Sequence, residues 1–338
     1  MLEQIINSYR NYADYLWNDV AHPQWTSYFY MLILISVVFF VLEIIVPWRK
    51  KQAILRKDFF LDGFYMFFNF FLFSLIIYNA ASDVIVNLFN DGIQGITGFD
   101  LQAANPLSTF PMWSILLIGF VVRDFTQWWI HRLLHRVEWL WNFHKVHHSV
   151  EEMGFAAHLR FHWMETVVYR TLEYLPLALL GIGLYDFFII HLFTLAWGHY
   201  NHANLHVSGR ITGGVIGLLV GLAFAFTAFD LNLLVEASTS IKLLFVLGTT
   251  AGGSLLLGPV MPRLFNSPEM HIWHHAHDLP KERHYGVNFG LTLAIWDYLF
   301  GTAYVPHEGR DIKLGFQGVE EFPDSFGGQV VSGFTNKD

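Results

Sequence analysis

The chain has 338 residues, of which 54% are hydrophobic and only 14% are charged, whereas soluble proteins carry about 25% charged residues. Its formal net charge of −8 provides no basic surface for a nucleic acid. The sequence contains no cysteine, which excludes disulfides, thiolate nucleophiles, cysteine-ligated zinc and iron–sulfur clusters held by this chain. The composition therefore predicts a membrane protein that does not bind nucleic acid.

Residues 1–27 are predicted to form an amphipathic helix that lies at the membrane interface. Their apolar side chains recur at helical spacing, at Leu2, Ile5, Ile6, Tyr9, Ala13, Leu16 and Val20. A cleavable signal peptide is not expected, because Glu3, Asp14 and Asp19 replace its basic start and apolar centre. A loosely packed N-terminal helix fits the same pattern.

Residues 28–307 are predicted to form the membrane-embedded domain. Three stretches, at about 28–48, 59–80 and 111–130, are apolar over the roughly 20 residues that cross a bilayer. By the positive-inside rule, the first connection is cytoplasmic, since it contains Arg49, Lys50, Lys51, Arg56 and Lys57. The connection 81–110 has acidic residues but no Lys or Arg, as expected on the opposite side. The third span then returns to the cytoplasm.

The second half of the chain is predicted to return to the cytoplasmic side twice. Residues 166–200 form two short apolar segments, and 210–260 form an extra apolar hairpin whose turn contains Asp230 and Glu236. Gly217 and Gly221 have the spacing that allows two membrane helices to approach closely. The segment 308–338 is expected to be a polar C-terminal tail with little ordered structure.

Fifteen of the 18 histidines lie within 131–162, 199–206 and 271–284. His131 and His135 are four residues apart and share a helix face. The spacing i, i+3, i+4 occurs twice, in His144, His147 and His148 and again in His271, His274 and His275. For the last three, Asn266 or Ser267 is a suitable N-cap and Pro268 a suitable first residue. These eight imidazoles are too many for one metal ion and suit two.

These observations predict an all-α fold. We expect about four to six membrane-embedded helices in a bundle, with a cytoplasmic helical cap that holds a histidine-rich di-metal site. The spacing of His131 and His135 resembles that of the zinc proteases, but Arg132 replaces their glutamate base. Imidazole binds Fe, Zn, Cu and Ni, so histidine alone does not select the metal.

Two other functional classes combine membrane spans with histidine. A divalent-metal transporter would place its site near the bilayer midplane at broken helices, whereas these histidines follow the spans at regular helical spacing. A haem-binding membrane electron carrier would use two axial histidines per haem and leave most of this set unexplained. Both remain alternatives to an enzyme.

Three segments resemble the sterol desaturase/fatty acid hydroxylase superfamily of membrane enzymes with histidine boxes. The first runs from Asp124 to His135 and continues through Leu140-Trp-Asn-Phe-His-Lys-Val-His-His-Ser149. The second is Asn266-Ser-Pro-Glu-Met-His-Ile-Trp-His-His275, and the third is Trp296-Asp-Tyr-Leu-Phe-Gly-Thr302. The resemblance covers roughly 40–305. The stretch 210–260 is longer than the corresponding connection in that superfamily, so the identity of the substrate does not transfer.

The resemblance implies a non-haem di-iron oxygenase that hydroxylates or desaturates a C–H bond of a lipid, such as a sterol or fatty acyl chain, with O2 and two electrons. The implied ligands of the two iron ions are His131, His135, His144, His147, His148, His202, His271, His274 and His275. His199 is an additional candidate on the same helix face as His202. His162, Asp124 and Asn204 are candidates for side chains that contact and orient these ligands.

Electrons are expected from an external donor: a ferredoxin, a cytochrome b5-type protein or a reductase. The chain has neither cysteine for a cluster nor a Gly-x-Gly-x-x-Gly motif for a dinucleotide. We expect a multi-pass protein with its histidine boxes on the cytoplasmic side. The absence of retention signals and of a fused haem domain favours a bacterial inner membrane.

Overall fold

The computed structural model describes residues 2–24, 27–73, 91–98, 106–107, 109–226 and 237–335, and every regular element within these ranges is helical. The predicted all-α class is therefore confirmed. The end of the second predicted span, most of the acidic connection 81–110, and the turn with Asp230 and Glu236 lie outside the described residues.

The helices are numbered in chain order. The first seven are α1 (Leu2–Ala21), α2 (Tyr28–Ile45), α3 (Phe59–Phe67), α4 (91–97), α5 (Met112–Arg136), α6 (Glu138–His148) and α7 (Trp163–Leu179). The others are α8 (Leu184–His202), α9 (Gly209–Phe226), α10 (Thr239–Gly252), α11 (Met261–Leu264), α12 (Pro268–His274), α13 (Ile295–Leu299) and α14 (Phe326–Thr335). Short π-helical segments continue α3 through Leu72 and α10 through Leu257.

Three of the described helices are long and apolar enough to cross a membrane: Tyr28–Ile45, Gly209–Phe226 and Thr239–Leu257. Large apolar side chains on all three are exposed, including Leu34, Leu219 and Leu244. Such exposure is costly in water, whereas a bilayer solvates the same surface. The surface of these helices is therefore suited to lipid.

The two helices of the 210–260 hairpin pack through a seam of glycines. A Cβ atom at Gly217 of α9 would lie 2.1 Å from the carbonyl oxygen of Thr249, and one at Gly213 would lie 2.4 Å from that of Gly253. Only glycine allows the backbones to approach this closely. The small-residue spacing noted in the sequence thus marks the contact between α9 and α10.

The long helix α5 lies at the centre of the fold, where it packs against α6, α7 and α8. Arg123 and Asp124 lie on its buried surface, with exposed fractions of 3% and 0%. They do not pair with each other: Arg123 contacts Glu173 of α7, and Asp124 accepts hydrogen bonds from the backbone of Thr292 and Leu293. The polar residues of α5 therefore fasten it to other segments.

A cap of short helices covers one end of the bundle. Of the two predicted N-caps of α12, Asn266 and Ser267, the structure has Ser267: its Oγ accepts a hydrogen bond of 3.2 Å from the backbone of Met270. The basic connection after α2 packs against this cap, because Arg49 donates to the carbonyl oxygen of Met153 at 2.7 Å. The basic loop and the histidine boxes consequently lie at the same end of the molecule.

The C-terminal segment differs from the expectation of little ordered structure, since α14 packs against α3 and α6. Phe326 contacts Phe64 and Phe68, with ring centroids 4.7 and 4.8 Å apart, and Phe334 lies 4.9 Å from Phe143. The polar composition of the tail conceals these two phenylalanines, which are eight residues apart and so share one face of a helix.

Candidate metal centre

Nine buried or half-buried histidines converge in two adjacent groups, and within each group the nitrogens that could bind a metal lie within 4.8 Å of one another. Group A consists of His131, His135, His144, His148 and His274. Group B consists of His147, His202, His271 and His275. These nine are the same histidines that the sequence motifs select as candidate ligands.

The two groups are interleaved on the same helices. Helix α6 supplies His144 and His148 to group A and His147 to group B. This division arises because adjacent residues of a helix, here His147 and His148, point in different directions. Helix α12 likewise divides its histidines between the groups. The groups therefore touch, and the rings of His148 and His275 are 4.4 Å apart.

The spacing of the nitrogens in group B fits a common metal ion. His202 Nε2 lies 3.2 Å from His147 Nε2 and 3.0 Å from His271 Nε2, and His275 Nε2 lies 3.2 Å from His271 Nε2. Nitrogens bound about 2.0–2.1 Å from one ion are separated by about 3.0–3.4 Å. The donor set is thus already at ligand spacing.

Group A fits a metal ion by a second criterion, the partners of its ring nitrogens. The Nε2 atoms of four members are buried without a hydrogen-bond partner: His135, His144, His148 and His274. A buried nitrogen without a partner is costly, and coordination of a metal ion would satisfy all four. These atoms are the part of group A that could hold the ion.

A backbone segment, 287–291, orients histidines of group A. The carbonyl oxygens of Phe289 and Val287 each lie 2.8 Å from an Nδ1 atom, that of His131 and that of His274 respectively. These contacts place the ring proton on Nδ1 and leave the lone pair on Nε2, which is the arrangement that metal-binding histidines need. We call 287–291 the carbonyl segment.

Two aspartates hold the carbonyl segment in place. Asp297 accepts hydrogen bonds from the backbone of Phe289 at 2.9 Å and of Gly290 at 2.8 Å. Asp124 accepts from the adjacent Leu293 and from the indole of Trp296, the latter at 2.8 Å. Asp124 therefore contacts none of the nine histidines, but it fastens the segment that contacts His131.

Glu165 of α7 orients His144. Its Oε2 lies 3.0 Å from His144 Nδ1, and both side chains are 1% exposed. A carboxylate in contact with the second nitrogen of an imidazole fixes its tautomer and raises its basicity as a ligand. Glu165 therefore orients His144 in the same way as the backbone carbonyls of Phe289 and Val287 orient His131 and His274.

Burial sets the charge of the histidines in the cap. The pKa values of His147, His148, His271, His274 and His275 are all well below the usual value, first because burial penalises the charged ring and then because the neighbouring rings repel one another. The rings are neutral at pH 7 and their nitrogens can act as ligands.

Three further predicted residues lie outside both groups. His199 contacts His158 Nδ1 at 3.0 Å and Ser36 Oγ at 3.1 Å. His162 caps α7 by accepting a hydrogen bond from Met164 and contacts the carbonyl oxygen of Val330 at 2.7 Å. Asn204 joins the end of α8 to the basic loop: its side-chain Oδ1 accepts a hydrogen bond of 2.7 Å from the backbone of Arg49, and its backbone carbonyl accepts one of 2.9 Å from that of Trp48.

The sequence motifs did not select three contributors to the centre: Glu165, His158 and the carbonyl segment. The ring of His158 is 5.2 Å from that of His202, but His158 lies outside the histidine boxes. His162 follows it at helical spacing, yet the two share no helix, because His158 lies in the 3₁₀ segment Phe155–Leu159 and α7 begins at Trp163. Glu165 follows the predicted candidate His162 by three residues, and this proximity is the one signal in the sequence that points to it. Backbone carbonyls have no signature in a sequence.

A cavity of about 150 Å³ adjoins both groups of histidines. His131, His144, His147 and His202 line one end, and its walls continue along α5, α7 and α8 to Arg123 and Glu173. A molecule in this cavity would contact the face of the metal centre. The cavity is therefore the candidate substrate site.

Comparisons with known proteins identify relatives with related activities. The fatty acid hydroxylase family matches residues 116–219. An ornithine lipid hydroxylase of Rhizobium tropici is 26% identical over 228 residues, which are 68% of this chain and 53% of the relative. A very-long-chain aldehyde decarbonylase of Oryza sativa subsp. japonica is 46% identical over 55 residues, 16% of this chain and 18% of that protein.

A third relative, assigned as a methylsterol monooxygenase of Dictyostelium discoideum, is 34% identical over 83 residues, 24% of this chain and 30% of that protein. This chain thus spans about half the length of the first relative, at 53%, and less of the other two. No solved structure matches the chain. The comparisons confirm the resemblance to the sterol desaturase/fatty acid hydroxylase superfamily.

Proposed function

We propose that this chain, a relative of the fatty acid hydroxylases, is a membrane-bound non-haem di-iron oxygenase that hydroxylates or desaturates a C–H bond of a lipid. The observation that carries the proposal is the pair of adjacent histidine groups, five and four residues, at ligand spacing. One group would hold each iron ion. Relatives described as a lipid hydroxylase and a methylsterol monooxygenase support a lipid substrate and oxygen chemistry.

Oxygen chemistry favours iron over the other metals that imidazole binds. Zinc has no redox chemistry, whereas iron sites with histidine ligands and open positions activate O2. Two iron ions held by groups A and B would supply the activation of O2 and the attack on the C–H bond. Hydroxylation places one oxygen atom of O2 in the lipid and the other in water, and consumes two electrons and two protons.

The residues of the chain bind, orient and shield. The carbonyl segment and Glu165 keep the lone pairs of His131, His274 and His144 directed at the ion. Eight of the nine rings are buried and that of His135 is half-buried, which favours their neutral form and limits the access of water to the centre. The cavity beside His131 and His147 would align a lipid with the centre.

Electrons would come from a donor protein, for which the cap offers cations near the centre. Arg132 lies over the rings of Trp128 and Trp129, at 5.2 and 5.4 Å, and Lys145 lies 6.0 Å from Phe316. Group A includes His131 and His135, immediately before and three residues after Arg132, so a donor bound at this surface would be close to the metal ions.

Incorporation of isotope tests the proposed function. Iron-loaded protein in native membranes, supplied with a ferredoxin and its reductase under ¹⁸O2, should yield a membrane lipid that carries one ¹⁸O atom, or a desaturated lipid. His274→Ala should yield neither product, because it removes a ligand of group A. Failure of the iron-loaded wild type with each class of donor, or full activity of His274→Ala, would refute the proposal.

A further inference from the structure

The far end of the cavity contains a buried charged cluster that the metal centre does not use. Arg123, Gln127 and His131 are four residues apart on one face of α5, so Arg123 lies two turns, about 12 Å, from the histidines along the helix axis. Glu165, Tyr169 and Glu173 have the same spacing on α7 and line the opposite wall.

The cluster is held by three helices. The Arg123 guanidinium donates hydrogen bonds to Glu173 of α7 and to Thr194 of α8, and its Nη2 lies 3.1 Å from His191 Nδ1. Gln127 Nε2 lies 3.4 Å from Glu173. Arg123 is 3% exposed and Glu173 6%. A buried ion pair costs free energy to desolvate and is weak evidence for a stabilising role. Stability alone therefore does not account for this cluster.

Apolar packing follows this cluster along α5. A Cβ atom at Gly119, one turn before Arg123 on α5, would lie 2.8 Å from Ile190 Cδ1 and 3.3 Å from Ile182 Cδ1. The charged cluster thus lies at the end of the cavity opposite the histidine centre, next to closely packed apolar side chains.

One acceptor atom in the cluster has no partner. Gln127 is 8% exposed, its side chain lines the cavity, and its Oε1 is buried without a hydrogen bond. Two further oxygens of cavity residues, Glu165 Oε1 and Asn201 Oδ1, are also buried without a hydrogen bond, but these residues adjoin His144 and His202 and belong to the histidine end. Gln127 Oε1 therefore offers an acceptor between the metal centre and the charged pair.

We propose that this end of the cavity binds an uncharged hydrogen-bond donor, a hydroxyl or amide group of the lipid substrate, with Gln127 Oε1 as its acceptor. The inference rests on the proposed function, because it takes this cavity as the substrate site. Arg123 and Glu173 neutralise each other, so an ionic head group would be a buried charge without a counter-ion and would be strongly disfavoured. A plain hydrocarbon would leave Gln127 Oε1 unsatisfied.

This assignment limits where the substrate is oxidised. Gln127 is one helical turn, about 6 Å, from His131 along α5. A lipid whose hydroxyl or amide group is held by Gln127 presents to the histidines a carbon only several bonds from that group. We therefore expect oxidation near the polar end of the molecule, not at the far end of an acyl chain.

Equilibrium binding of radiolabelled hexadecan-1-ol to the detergent-purified full chain tests the proposal. Unlabelled hexadecan-1-ol and hexadecanamide should displace the label, and hexadecane, hexadecanoic acid and hexadecylamine should displace it poorly. Gln127→Met, which keeps the side-chain volume, should weaken binding about three- to tenfold, as expected for loss of one neutral hydrogen bond. Thr126→Val is the matched control, since Thr126 bonds its own helix and does not line the cavity.

Three results would overturn the proposal: displacement by hexadecane as effective as by the alcohol, stronger displacement by either charged amphiphile, or unchanged binding to Gln127→Met. A thermal midpoint of Gln127→Met close to that of the wild type establishes that the variant is folded. Binding requires no turnover, so failure here is distinguishable from failure of the isotope experiment, which tests the oxygenase function itself.

Discussion

The orientation of each imidazole depends on what its second nitrogen contacts. In this centre the contacts are of two kinds: backbone carbonyls for His131, His274 and His202 and the Glu165 carboxylate for His144. Each contact leaves the opposite nitrogen of its ring available. In group B three pairs of Nε2 atoms are already 3.0–3.2 Å apart; there the carbonyl contact belongs to His202, whereas Nδ1 of His147 and of His275 is buried without a partner. The centre is pre-organised by its surroundings, which lowers the cost of binding the ions.

The carboxylate contact gives a prediction at the scale of one residue. Glu165→Ala removes the partner of His144 Nδ1 and should weaken iron binding about 10- to 100-fold, the usual effect of losing such a contact. Competition with a chelator on detergent-purified protein measures this change. Glu151→Ala is the control, because Glu151 is exposed and pairs with Lys57. Equal iron affinity in the two variants would contradict the role of Glu165.

At the scale of the element, helical periodicity carried most of what the sequence could predict. The spacing i, i+3, i+4 indicates a helix for each histidine box, as found in α6 and, up to His274, in α12. Ser267, one of the two predicted candidates, is the N-cap of α12. Periodicity could not show that adjacent His147 and His148 belong to different groups, because that division depends on how α6 packs against α8 and α12. Periodicity could not predict the contact between the carbonyl segment and His131 either, because the two lie far apart in the sequence.

The cap of α12 gives a prediction for this element. Ser267→Ala removes the hydrogen bond to Met270 and should cost about 1 kcal/mol of stability, seen as a lower thermal midpoint. Because α12 contains His271 and His274 and is followed directly by His275, the variant should also release iron faster. Ser238→Ala removes the corresponding cap of α10, where Ser238 accepts from Ile241, and should leave iron release unchanged. Equally fast release from both variants would refute the link.

At the scale of the whole molecule, the basic loop and the histidine cap share one end of the bundle, as Arg49 and Met153 demonstrate. The sequence predicted this from lysine and arginine positions alone, and predicted that this end faces the cytoplasm. It did not predict α14, since the apolar face of that helix is short and lies within a polar tail. The number of membrane-embedded helices, four to six, remains a prediction. Among the described residues, three helices are long and apolar enough to span a membrane.

The absence of cysteine makes the orientation directly testable. The variant Lys51→Cys, in the basic loop, should react with a membrane-impermeant maleimide only when the cytoplasmic face is accessible. The variant Gln94→Cys, in the connection after the second predicted span, should react only when the opposite face is accessible. Both positions are exposed. Labelling of both from the same side would contradict the topology.

The proposed di-iron centre is tested most directly on detergent-purified protein that was expressed with added iron. The measurements are the metal content per chain and the Mössbauer spectrum. We expect about two spin-coupled iron ions per wild-type chain and about one after His271→Ala, which depletes group B only. His307→Ala, at an exposed histidine outside both groups, should retain both ions. One ion or none in the iron-supplied wild type, or zinc alone, would contradict a di-iron centre.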